Sequence, residues 1–147
     1  MALIGKQIVA IFLLSVSAAP ALGAGSCIDV RTPEAVQFEG RLTHKIFPGP
    51  PNFENVRKGD KPEPTYILEL QKPVCVKGDD SIDENKLIDR VQIFPEPESA
   101  ENRALFKKLR SLIGKTIVVK GTAPFGAITG HHHAPLLLPI TEIMSSR

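Results

Sequence analysis

Apolar and polar residues alternate most regularly over Ala35–Phe47 (AVQFEGRLTHKIF). Even positions carry Val36, Phe38, Gly40, Leu42, His44 and Ile46, and odd positions carry Gln37, Glu39, Arg41, Thr43 and Lys45. Side chains of a strand point alternately to opposite faces, so the segment predicts a long strand with one apolar face. His44 is the polar intruder on that face. Gly40 marks a bend or a close backbone approach, as in a small closed barrel. Thr65–Val76 (TYILELQKPVCV) repeats the alternation, with Tyr66, Leu68 and Leu70 on one face and Ile67, Glu69 and Gln71 on the other. Pro73 puts its far end at a sheet edge or a bulge. Paired antiparallel, the two strands bring Ile46 near Thr65 and Val36 near Cys75. Leu87–Phe94, Lys115–Pro124 and Pro135–Met144 predict three more strands, the last bulged at Pro139.

One helix interrupts this order. Glu96, Glu98 and Glu101 crowd its start, where the helix dipole favours anions, and Ser99 is the expected N-cap. Leu105, Leu109, Leu112 and Ile113 form its apolar stripe with Phe106 at the margin, and Gly114 is placed to end it. The predicted fold is mainly β: a five-stranded OB-type barrel with one helix between strands 3 and 4. A small α+β sandwich has the same element order, and pairing of the first strand with both the second and the fourth separates the two.

The prolines, 13 in all, cluster between these segments. Pro48–Pro64 (PGPPNFENVRKGDKPEP) is a long connection that Phe53 and Val56 are expected to pack down. Lys77–Lys86 (KGDDSIDENK) is a polar turn. Its acids lack the alternating oxygen ligands and central glycine of a calcium loop. In an OB barrel the loops after strands 1 and 4 border one binding face. Here those loops are Pro48–Pro64 and Phe125–Ala134 (FGAITGHHHA), so all four histidines are expected on one rim.

The N-terminal residues read as a signal peptide, residues 1–24, ahead of a single OB-like domain, residues 25–147. Lys6 precedes the apolar run Ile8–Ala18, and Pro20 and small residues follow it. Nothing after it is apolar enough to span a membrane, so the expected location is periplasmic or secreted. Removing Lys6, the only charge in that segment, takes the net charge from +2 to +1. Near-neutrality argues against nucleic acid as a partner, because neutralising phosphates needs a basic surplus. Cys27 and Cys75 in an exported chain read as a disulfide, which stabilises by about 4 kcal/mol on the chain-entropy model. Lipidation of Cys27 is the rival, but Leu22 lies too early for a lipoprotein signal and Cys75 would be left unpaired.

The segments GRLTHKIFPGPPNFENVRKGDKPEPTYILEL and IGKTIVVKGTAPFGAITGHHHAPLLL together resemble a family of small exported bacterial domains of unknown function. Its specific parts are the FPGPPNFENV loop with GD behind it and the GHHHAP segment. The resemblance implies a bacterial envelope location and no established activity.

His131 and His133 project to one side of an extended segment and His132 to the other. With His44 they make a candidate metal set suited to Zn, Ni or Cu. No cofactor follows from any stronger motif. Phe47, Phe53, Phe125 and His132 flank the same rim as candidate ligand-binding residues, with the alternative that the phenylalanines anchor the long loop. No catalytic residue is assigned: HExxH and a nucleophile elbow are missing, and Ser145 and Ser146 fall in a tail expected to fray. A zinc hydrolase drawing on Glu54 or Asp60 is the weakest reading. Two functions follow. The first is a non-enzymatic binding or interaction module for an envelope protein, peptide or glycan. The second is a metal-binding protein built on His44, His131 and His133.

Overall fold

The computed structural model describes residues 27–32, 34–96 and 100–146. The signal-peptide reading, and the expected N-cap Ser99 with Glu98, lie outside these residues. In chain order the elements are β1 (Ile28–Asp29), β2 (Val36–Pro48), β3 (Pro62–Val74), β4 (Val76–Lys77), β5 (Ile88–Phe94), α1 (Ala100–Leu112), β6 (Thr116–Gly121), β7 (Phe125–Gly126) and β8 (Leu136–Ser146). Among the described residues no helix is long and apolar enough to cross a membrane.

β2 pairs antiparallel with both β3 and β6, the test that separates the barrel from the sandwich. β8 then pairs with β6 and closes in parallel onto β5. The order β5–β3–β2–β6–β8, joined back to β5, is a closed five-stranded barrel of the OB type. Phe38, Leu42, Leu68, Val91, Ile93, Val119 and Leu138 fill its interior. Alternation therefore serves the core as expected, up to the point where β2 runs past the barrel end: Leu42 is fully buried, while His44 is exposed and Ile46 is 64% exposed.

Gly40 is where β2 passes from one neighbour to both. It pairs with Leu70 of β3 and with Ile117 of β6. A Cβ there would collide with the Glu69 carbonyl and press on Leu68. α1 plugs one barrel end with Leu109 and Leu112, and Leu105 packs half-buried beside them. Gly114, at φ +86°, turns the chain out of the helix. Its N–H donates to the Leu42 carbonyl at 2.7 Å, and the Leu42 N–H donates to the Lys115 carbonyl at 2.9 Å. Ile113 is consequently exposed, outside the stripe expected for it.

Several boundaries differ from the sequence reading for local reasons. β3 starts at Pro62, three residues early, because the β5 ladder reaches only to Tyr66 and the missing proline donors face an unpaired edge. Beyond Glu69 its register with β5 shifts, where Pro73 pointed to a bulge. In β8 the irregular pairing falls after Ile140 and after Ile143, and not at Pro139. Ser145 and Ser146 do not fray, since both pair with β6. Cys27 and Cys75 form the expected disulfide, and beside it Ile28 and Asp29 make a short parallel ladder with Val76 and Lys77.

Gly40→Ala tests the close approach. Overpacking against backbone should cost about 1–3 kcal/mol in urea unfolding with an unchanged slope. A neutral substitution would show that the β2 bend does not depend on the missing Cβ.

Candidate functional site

Odd positions of β2 face away from the barrel core, and a second buried layer lies there. Thr43 pairs with Ile67, Ile67 with Gln92, and Gln92 with Leu137, all on this outer face. Ile67 and Leu137 are each 1% exposed although neither belongs to the core cluster. In the alternation Ile67 shares its face with the polar Glu69 and Gln71. The two OB loops lie at this outer face and make the difference.

The first loop is held by a carboxylate. Asp60, buried, accepts from the Asn52, Glu54 and Asn55 backbone N–H groups at 2.9, 2.8 and 2.7 Å, and from Asn52 Nδ2 at 3.2 Å. The Asn55 N–H bond leads, burial opposes it, and the Asn52 and Glu54 bonds add to it, holding the Asp60 carboxyl below its usual range. Gly59, at φ +110°, delivers Asp60 to this position. The loop is thus a closed frame with Phe53 at its tip. Asp60 cannot act as a free general base there, because its lone pairs are already filled.

The second loop is held by Glu63 and Gln92. Glu63 Oε1 lies 2.5 Å from His131 Nδ1, and Oε2 lies 3.1 Å from His133 Nε2. Gln92 Oε1 accepts the His133 N–H at 2.6 Å, while its Nε2 donates to the His131 carbonyl at 3.3 Å. Gly49 leaves room for the Glu63 carboxylate, and Gly130 leaves room for the Phe53 ring. Phe47 stacks on His133 with centroids 4.1 Å apart, and Phe53 meets His131 edge-on at 5.0 Å. The proline-rich loop and the GHHHA segment are therefore one unit. At the far end of the loop, Asp79 of the polar turn accepts the Gly126 N–H at 2.9 Å.

His132 points the other way, as alternation required. It lies edge-on to Phe125, and its Nδ1 accepts the Ile128 N–H at 3.0 Å. Burial, and then the neighbouring His131 and His133, lower its pKa. Burial pushes the Glu63 carboxyl up, but the hydrogen bonds from His133 and His131 outweigh it and leave the group below its ordinary value.

His44 is not brought to this site. It sits on the even face of β2, opposite Tyr66, while Phe47 and Glu63 pair on the odd face that carries the loops. The expected set of His44 with His131 and His133 fails on strand parity. Among the described residues no group of three or more His, Cys, Asp or Glu side chains is placed to hold a metal ion. Glu63 and Gln92 were missed by sequence reasoning. Glu63 is hidden between Pro62 and Pro64, and Gln92 looks like any solvent-side polar residue of a strand.

Residues 90–144 match the family described as Domain of unknown function (DUF4431). The matched stretch runs from within β5 to within β8, so it holds Gln92 and the three histidines but stops short of Glu63 and the proline-rich loop. No curated protein and no solved structure matches the chain.

Acid should loosen this rim in two stages. Both Glu63 and His132 have folded-state pKa values below their ordinary ones, so the unfolded chain takes up more protons as pH falls. The stability each contributes is complete above its ordinary pKa and is lost as pH falls through the depressed one. His132 acts first, and its protonation at Nδ1 should release the Ile128 amide, seen as a lower protection of that amide relative to its intrinsic exchange rate at the same pH and as a shift in the amide spectrum. Glu63→Gln should cost about 1–2 kcal/mol at neutral pH, a difference from wild type that shrinks below the glutamate range. An Ile128 amide indifferent to pH would refute the first stage.

Proposed function

We propose that the chain is an exported, non-enzymatic binding or interaction module whose rim, made by residues 49–61 and 127–135, recognises an envelope protein or peptide. One observation carries the reading: both loops are locked into a single shaped surface that still presents apolar groups to solvent. Ile128 is 71% exposed, and Phe53 and Val56 are 37% exposed each. Preorganised loops lose little conformational entropy on association, which favours specific recognition. A disulfide fits an oxidising compartment.

The aromatic geometry favours a protein or peptide over a glycan. Stacking a sugar needs a free flat ring face. Phe47 is covered by His133, Phe125 sits half-buried between Phe94 and His132, and the chain has no Trp. The aliphatic Ile128 and Val56 suit an apolar protein anchor better.

A photo-crosslinker placed at Ile128 in cells should trap one envelope partner. Excess unlabelled domain should compete with it, and Phe53→Ala should abolish it. The same crosslinker at exposed Ile113 serves as the control. Equal trapping at both positions would remove the rim from the reading. Titration with Zn, Ni and Cu separates the metal alternative: a tight 1:1 complex lost in both His131→Ala and His133→Ala would replace the proposal.

A further inference from the structure

His44 lies in a groove of its own. Past Leu42 the even face of β2 no longer points into the barrel, so His44 and its partner Tyr66 emerge beside α1. With Pro64, Phe106 and Arg110 they line an open groove of about 420 Å³. Phe106 and Arg110 are one helical turn apart, which brings both to this side of α1. The His44 and Tyr66 rings are 4.8 Å apart and tilted by 42°. Among the described residues the side chains of His44, Tyr66 and Arg110 have no hydrogen-bond or ion-pair partner. Three polar side chains therefore line the groove together with Pro64 and Phe106, and no carboxylate lines it to neutralise Arg110.

We propose that this groove binds a small aromatic carboxylate. The guanidinium of Arg110 takes the carboxylate in the two-pronged geometry its planar fork allows, and His44 and the Tyr66 hydroxyl supply further donors. The ligand ring lies on Tyr66 and Phe106, whose exposed surface the core does not use. The volume suits a single-ring acid, at the small end of ligand sites. Charge selects the class: the lining carries a cation and no anion, so a neutral or cationic ring compound loses the pairing that fixes its orientation. This site is independent of the rim, since it occupies the opposite face of β2 from Phe47 and Glu63.

Titration of the oxidised protein with phenylacetate, followed by NMR, tests the assignment. Saturable shifts should fall on His44, Tyr66 and Phe106. Phenylacetamide should bind about tenfold more weakly, as should phenylacetate to Arg110→Gln, because each removes a charge-assisted hydrogen bond. Arg110 is exposed, so that variant should unfold at the wild-type urea midpoint. Phe106→Ala should weaken phenylacetate but leave acetate unchanged. The proposal is overturned if the amide binds as well as the acid, if acetate binds as well as phenylacetate, if the shifts map to His131 and Phe53, or if no saturation occurs in the millimolar range.

Discussion

A strand side chain faces one side of its sheet or the other, and β2 commits its two sides to different partners. Phe38, Gly40 and Leu42 belong to the barrel, while Thr43 and Phe47 belong to the layer under the loops. A one-residue slip would exchange the two sets and bury the charges of Glu39 and Arg41, so the register is held from both faces at once. That constraint fixes where Phe47 can meet His133 and where Glu63 can meet both His131 and His133. The same constraint sends His44 to the far side, towards α1. Everything with chemical interest in the chain is distributed by the parity of this one strand.

Loops without regular structure must satisfy their backbone groups in some other way, and here side-chain acceptors do it. Asp60 gathers three N–H groups of its own loop, Asp79 ties the polar turn to Gly126, and Gln92 takes the N–H and C=O groups on either side of His132. Hydrogen bonds to a charged acceptor such as Asp60 or Asp79 are stronger than those between neutral groups. The prolines of the connection already restrict the unfolded chain, so less ordering cost is left for these bonds to offset. The loop after β2 is consequently a frame and not a tether, which is the condition for a shaped surface at its tip.

Much of this was legible in the residues. Alternation in Ala35–Phe47 and Thr65–Val76 specified both strands and their inward faces. The leucine spacing before Gly114 specified the helix, and the two cysteines specified their bond. Element order suited both the barrel and a sandwich, and the pairing of β2 with both β3 and β6 decided between them. Three things were hidden, each for a physical reason. Pro62 and Pro64 look like loop residues, because the unpaired edge that tolerates them is a property of β5, many residues away. Ile67 shares its face with Glu69 and Gln71, so alternation alone does not mark it as buried. The gathering of four histidines on one rim rested on which loops neighbour each other in an OB barrel, and for His44 the parity of its own strand prevailed over that neighbourhood. The partnership of Glu63 with His131 and His133 joins positions almost seventy residues apart, and no local pattern announces it.

The two surfaces flanking the β2–β3 ribbon differ in how far their polar groups are already satisfied, and that difference bears on what each can recognise. At the rim, Glu63, Gln92, Asp60 and His132 are paired within the protein, so an incoming ligand would have to break existing bonds to use them. What remains available is shape and apolar contact from Phe53, Val56 and Ile128, the means by which proteins recognise one another. In the groove beside α1 the case is reversed. Arg110, His44 and Tyr66 hold unused donors over exposed ring surface, and a small charged ligand can engage all of them without competing with an internal partner. Internal satisfaction makes a surface rigid and selective for form, whereas open donors make it selective for charge. One ribbon thus separates a surface suited to a macromolecule from a groove suited to a small acid.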